Sequence, residues 1–235
     1  MSIYVCSDLH GRYDLYNKML ETIKFNKKDT LYILGDAIDR GPESIKLLQQ
    51  IMKQKNVVLL KGNHEKMMLQ YLKTQNIYDA MVWEYNGGEE THNQYKKLTE
   101  KEKQDIFYYL NNLPNYVILP GVILVHAGIN NNIKSTNIEE FMEAQDVDDL
   151  VWIREPFINR PTNIENYTVI FGHTPTKHLQ RTRNRCTIWV DLIHEYKIGI
   201  DCGAYSDTEG QLCCIELIEG KSLIWYINNQ GVVYG

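Results

Sequence analysis

The amino-acid sequence predicts an α/β fold of two packed mixed β-sheets with helices on the outside, and three observations carry that prediction. Three strand–loop–helix units follow one another up to residue 72. Beyond residue 115 the pattern changes to short apolar runs divided by turn residues, which reads as strand after strand. Between them, at about 74–115, lies a polar stretch with helical spacing and no strand pattern. Alternation first and a run of strands later is the order expected of two stacked sheets. A chain of 235 residues holds material for a sizeable core and is read as one domain, 1–235.

Residues 3–6 form the first apolar run, and Tyr16, Met19, Leu20 and Ile23 then recur at helical spacing. The second unit is a strand at 30–34, the loop Gly35-Asp36-Ala37-Ile38-Asp39-Arg40-Gly41, and a helix expected to begin at Pro42, with Ile45, Leu48, Ile51 and Met52 as its buried stripe. The third is a strand at 56–60, a loop Lys61-Gly62-Asn63-His64-Glu65, and a helix at 66–72. In the middle stretch Thr99 and Glu102 form a capping box, and Asn86-Gly87-Gly88 breaks the region in two. It is too short for a core of its own and is read as an excursion that covers or borders a site. Pro120-Gly121 then turns a hairpin between 117–119 and 122–125, and further strands are expected at 167–171, 186–190, 197–201, 211–218 and 221–227.

The totals exclude several classes. A formal charge of −5 leaves no basic footprint for nucleic acid. No apolar run approaches the roughly 18 residues that span a bilayer. The first residues carry no basic region followed by an apolar one, so a cytoplasmic protein is expected. Five cysteines without paired spacing argue for a reducing compartment, and adjacent Cys213 and Cys214 read as core.

The chemistry gathers where strands end. Five loops, each directly after a strand-like run, carry metal-competent side chains: Asp8 and His10; Asp36 and Asp39; Asn63 and His64; His126; and His173. Carboxylate, imidazole and amide oxygen without thiolate suit Mn²⁺, Fe²⁺ or Zn²⁺. A carboxylate shared by two metals would offset their repulsion, with Asp36 the natural candidate, and such a pair lowers the pKa of a bound water.

Asp8-Leu9-His10-Gly11, the heptad Gly35 to Gly41, and Gly62-Asn63-His64-Glu65 resemble, in order and spacing, the three blocks of the phosphoprotein-phosphatase-type, calcineurin-like metallophosphoesterases, in their small bacterial and phage branch. His126-Ala127-Gly128 and Gly172-His173 are similar to that family's two later metal histidines. The resemblance implies two divalent ions, most simply Mn²⁺, with Asp8, His10 and Asp36 on one and Asp36, Asn63, His126 and His173 on the other. It implies His64 as the general acid, Asp39 as the carboxylate that holds its imidazole, and Arg40 and Arg154 as grips on phosphate. The implied activity is hydrolysis of phosphoserine and phosphothreonine in proteins, or of small phosphoesters, by a metal-bridging hydroxide. The alternative on the same site is a diadenosine polyphosphate hydrolase. A non-catalytic phosphate-binding module would show missing ligands, and none is missing.

Three positions depart from the family pattern. Lys61 stands where many relatives carry arginine, so its phosphate contact would be a point charge. Ser7 stands where glycine is common, and Ala127 resembles bacterial members. Arg181, Arg183 and Arg185 read as an exposed loop or an anion patch, and His92, His178 and His194 as packing or solvent residues.

Overall fold

A computed structural model describes the chain except residues 163, 165, 181–185, 194–195, 207–209, 219–220 and 235. Arg181, Arg183, Arg185 and His194 therefore lie outside the described residues. The chain enters on β1 (Ile3–Cys6) and α1 (Tyr13–Thr22), then β2 (Thr30–Ile33) and α2 (Ser44–Lys53), then β3 (Val57–Leu59) and α3 (Asn63–Thr74). The excursion holds α4 (Ile77–Trp83), a wide helical turn (Glu84–Gly88), α5 (Glu89–Lys96) and α6 (Glu100–Asn111). A hairpin of β4 (Tyr116–Leu119) and β5 (Val122–Val125) leads to three short helices, α7 (Ile138–Glu143), α8 (Val147–Trp152) and α9 (Glu155–Ile158). Then come β6 (Thr168–Phe171), α10 (Thr176–Leu179), β7 (Trp189–Val190) and β8 (Lys197–Gly199). The chain closes on β9 (Leu212–Ile218), β10 (Lys221–Asn228) and β11 (Gly231–Tyr234).

These strands make two mixed sheets, in the orders β11-β10-β9-β1-β2-β3 and β4-β5-β6-β8-β7. Period-two alternation explains why the sheets stack and why helices cover both outer faces. In β1, Tyr4 and Cys6 point into the core under the helices while Val5 points between the sheets. In β9, Cys214 faces the helices and Cys213 the inter-sheet core, as packing residues, and none of the five cysteines forms a disulfide. In β6, Ile170 points inward to the other sheet, whereas Val169 and Phe171 meet the short helices α7–α9. No helix of the described residues is long and apolar enough to cross a membrane.

Four boundaries differ from expectation. Helix α2 begins at Ser44, not Pro42, because the chain first bonds to the neighbouring loop, Glu43 N–H donating to Gly11 O at 3.2 Å. Helix α3 begins at Asn63, not Lys66, so Asn63, His64 and Glu65 form its first turn, closed by Gly62 N–H donating to Glu65 at 3.0 Å. The strand expected at 186–190 is only the edge pair Trp189–Val190. Strand β11 follows a tight turn out of β10 and was not foreseen.

Candidate active site

The carboxyl ends of β1, β2 and β3 in one sheet and of β5 and β6 in the other open on the same point. The loops after β1 and β2 continue the parallel pairing beyond the strands, His10 N–H donating to Asp36 O at 2.9 Å and Gly11 N–H to Ala37 O at 2.8 Å. Gly172 N–H donates to His126 O at 2.7 Å and ties the second sheet's loops together. Such close approach requires bare backbone: a Cβ on Gly62 would stand 2.2 Å from Asp36 Oδ1. Asp8, His10, Asp36, Asp39, Arg40 and His173 all hold positive φ, between 44° and 73°, a region costly for residues with a Cβ. Strain of this kind concentrates at functional sites.

Asp36 is the hub. Its Oδ1 lies 3.4 Å from His126 Nε2, and its Oδ2 lies 3.7 Å from His10 Nε2 and 3.8 Å from His64 Nε2. Asn63 Oδ1 sits 2.9 Å from His126 Nε2 and 3.0 Å from His173 Nδ1. Two groups of donor atoms thus converge on the two sides of one carboxylate: His10, Asp36 and His64, and Asp36, His126 and His173, all buried. The rings are aimed from behind, His126 Nδ1–H donating to Leu34 O at 2.6 Å and His10 Nδ1–H to Ile38 O at 3.0 Å. That leaves Nε2 of each as a lone pair. At His126 the lone pair faces the acceptor oxygens of Asn63 and Asp36, an arrangement that a cation relieves. The donor set therefore fits divalent metal.

Asp8, expected beside His10 and Asp36, stands outside both convergent groups. Its carboxylate is turned to the His173 N–H, at 3.0 and 3.2 Å, and accepts from Ser7 Oγ, which gives the departure at position 7 a use. Burial, Asp201 and Asp36 together push its carboxyl well up. Burial alone would also raise Asp36, but His126, His64, His10 and His173 outweigh it and hold its carboxyl low. Burial lowers His10 and His126, and takes His173 down to about 2. For His64 burial works the same way, yet Asp36 and the bond to Asp39 win, and the imidazole is raised.

His64 Nδ1–H donates to Asp39 Oδ2 at 2.7 Å, with both side chains buried, as expected of an acid and its orienting carboxylate. Arg40 donates to His10 Nε2 at 2.8 Å, its Nη2 lies 3.1 Å from His64 Nε2, and its guanidinium lies 4.9 Å from the centre of the Tyr205 ring. Arg154 is exposed at the N-terminus of α9, its carbonyl accepting from Phe157 and Ile158 N–H while its guanidinium bonds no described residue, and its charge bears on His126, His173 and Asp201. Lys61 makes no hydrogen bond or ion pair with a described residue through its ammonium. Its N–H goes to Pro114 O at 2.8 Å, and burial, then Lys73 and Lys66, lower its ammonium's pKa, with no site carboxylate among its neighbours.

Sequence reasoning missed five residues. Glu65, fully buried, accepts from Gly62, Asp36 and Ala37 N–H at 3.0, 2.8 and 2.9 Å, and so pins the second loop to the third. Its place three residues after Gly62 was the available signal. Asp201 follows β8, a sixth strand ending, and burial pushes its carboxyl up to about 6. Tyr205 stands edge-on to His10 at 5.5 Å. Lys197, wholly buried, donates to Phe157, Ile158 and Arg160 carbonyls at 2.7–3.1 Å and pairs with Asp191 at 2.8 Å, holding the C-terminus of α9. Trp83 donates to Asp39 Oδ2 at 2.8 Å. His92, read as a packing or solvent residue, packs: it is buried and bonds Glu84 and Tyr71 beside that indole.

Two sheets meeting at a buried Asp–His–Asn cluster define a metal-dependent phosphoesterase architecture. Residues 1–199 match the model of the calcineurin-like phosphoesterase family, and the chain belongs to it. It is 45% identical over 80 residues to a symmetrical bis(5'-nucleosyl)-tetraphosphatase of Wigglesworthia glossinidia brevipalpis, covering 33% of this chain and 29% of that one. Serine/threonine-protein phosphatase 2 of Escherichia coli is 35% identical over 119 residues, 49% of this chain and 51% of its own length. Serine/threonine-protein phosphatase 1 of Salmonella typhimurium is 26% identical over 180 residues, 74% and 79%. The matches to the first two relatives thus span about a third and about half of their lengths. Among solved structures, one provisionally described as a diadenosine tetraphosphatase superposes with TM-score 0.68 at 18% identity, over 97% of this chain and 94% of that one. A protein serine/threonine phosphatase from Saccharomyces cerevisiae gives 0.62 at 16%, over 100% and 79%, and both likenesses speak to fold.

Proposed function

We propose that this chain is a two-metal phosphomonoesterase acting on phosphoserine and phosphothreonine of proteins. Asp8, His10 and Asp36 would hold one ion and Asp36, Asn63, His126 and His173 the other, with Mn²⁺ the first choice and iron or zinc suited to the same donors. Bound there, the ions supply Lewis-acid polarisation of the phosphoryl oxygens and a water of lowered pKa. The remaining work falls to side chains. Arg40 and Arg154 grip phosphoryl oxygens through planar forks. As the phosphorus–oxygen bond to the substrate breaks, His64 Nε2 gives its proton to the leaving oxygen, and Asp39 holds the opposite Nδ1–H and steadies the charge. A reducing cytoplasm suits five cysteines that form no disulfide.

The observation that carries this reading is the fully buried His64–Asp39 pair at 2.7 Å. A serine or threonine alkoxide is a poor leaving group and needs a placed proton, whereas a nucleoside diphosphate leaves with less help. The tetraphosphatase relatives keep a dinucleotide reading in the test. Purified protein loaded with Mn²⁺ is offered a phosphoserine peptide and diadenosine tetraphosphate side by side, and the peptide is expected to turn over faster. His64→Asn is expected to lose about 10²–10⁴ in kcat on the peptide. Equal peptide rates in the two proteins would remove His64 from the mechanism, and preference for the dinucleotide would replace the substrate class.

A further inference from the structure

We infer that Trp83 is a positioning residue for the proton donor, an inference that rests on the phosphoesterase reading above. Asp39 Oδ2 accepts two hydrogen bonds, from His64 Nδ1–H at 2.7 Å and from the indole Nε1–H of Trp83 at 2.8 Å. Its other oxygen, Oδ1, is buried and has no partner among the described residues. The rotation of the carboxylate is therefore set by two donors on one oxygen, and Trp83 is the one that does not move with the imidazole. The indole is itself fixed. It is fully buried, stacks on Tyr71 at 5.7 Å, and lies 5.2 Å from the ring of His92. Gly88 is bare where the indole passes: a Cβ there would stand 2.3 Å from Nε1. The same excursion also grips the backbone beside the carboxylate, Asp39 N–H meeting Thr91 Oγ1 at 3.2 Å and Arg40 N–H meeting Gly87 O at 2.9 Å.

Without the indole N–H, the Asp39 carboxylate keeps one donor and turns with the ring it should hold. A proton donor displaced by about an ångström loses on the order of 10²-fold, and only where the leaving oxygen needs the proton. The dependence on leaving group separates this role from general loosening of the fold.

The test uses the Mn²⁺-loaded full chain, a phosphoserine peptide and 2,4-dinitrophenyl phosphate, whose phenolate leaves unprotonated. Trp83→Phe is expected to lower kcat on the peptide about ten- to a hundredfold with KM little changed, and to cost less than about threefold on the dinitrophenyl ester. In a His64→Asn background it should add nothing, since the two act as one unit. Replacing Trp83 with 3-benzothienylalanine, which keeps the bicyclic shape and lacks the N–H, guards against a folding defect and should show the same split. Gly88→Ala, which pushes on Nε1, should follow. Equal losses on both esters, or full additivity with His64→Asn, overturn the inference. Should wild type hydrolyse neither ester, the phosphoesterase reading fails, and the Trp83 Hε1 resonance decides this one. A downfield Hε1 that moves in Asp39→Asn supports it, and one that stays put sinks it.

Discussion

The two flanks of the site are built on opposite plans. On the flank of His64 the imidazole and the groups behind it are buried and held in series: the imidazole by Asp39, Asp39 by Trp83, and the loop between by Glu65, Ser44 and Thr91, with only Arg40 exposed in front. On the flank of His173 the proposed grip on substrate is Arg154, whose exposed guanidinium bonds no described residue. Only the short helix behind it is fixed, by Lys197 at its far end. On the proposed mechanism a proton must be delivered along one direction, which accounts for the over-determined support of His64. A grip on phosphate works through charge and a fork that can settle onto the oxygens, so its support can be rigid while its tip is free.

Asp36 stands where the flanks meet, and changing it gives the largest expected effect. Asp36→Asn removes the carboxylate charge on which His10, His64, His126 and His173 converge. Partners one layer behind a metal ligand typically cost 10–100-fold in affinity, so a ligand shared by two ions should cost more than about 10²-fold. Calorimetric titration with Mn²⁺ is the measurement, with two ions per chain expected for wild type. Two ions bound to Asp36→Asn at wild-type affinity would mean that the carboxylate is no bridge and that the flanks are independent sites.

What was legible in the sequence follows the same division. Five strand-end loops could be read because carboxylates and imidazoles directly after apolar runs have no place in a core, and the structure brings all five together. The capping box at Thr99 was legible because it is local, Glu102 N–H meeting Thr99 Oγ1 at 3.3 Å. Trp83 was not, since its partner lies 44 positions away and an aromatic residue in a helix reads as packing. Lys197 reads as a surface lysine until three carbonyls and Asp191 surround it. The start of α3 was misplaced because Gly62, lacking a side chain, gives no capping signal, and Glu65 closes the turn only while also bonding a distant loop. Candidate metal ligands were thus readable one by one, while the groups that aim them depend on contacts that form only in the fold.

Arg154 supplies the intermediate effect. Arg154→Ala should raise KM for a phosphopeptide about tenfold and change kcat less than about threefold, because a free, exposed fork contributes to ground state and transition state alike. Arg154→Lys should recover part of the binding, as a point charge without bidentate geometry. Initial-rate kinetics at fixed ionic strength separate the two constants. A fall confined to kcat would place the guanidinium on the transition state and make this flank as directional as the other.

Lys61 should matter least, although its position beside Gly62 suggested a phosphate contact. Its ammonium is half-buried and loses rather than gains from its surroundings, first through burial and then through Lys73 and Lys66. A lysine poised for an anion would have its charge steadied by the site, and here no carboxylate offsets the burial of its ammonium. Lys61→Ala should leave kcat/KM for the phosphopeptide within about twofold and stability within about 0.5 kcal/mol, the range of substitutions away from any partner. If it instead raised KM as much as Arg154→Ala does, the substrate would run along α3 beside the proton donor rather than across α9. The open flank would then have been assigned to the wrong side of His64.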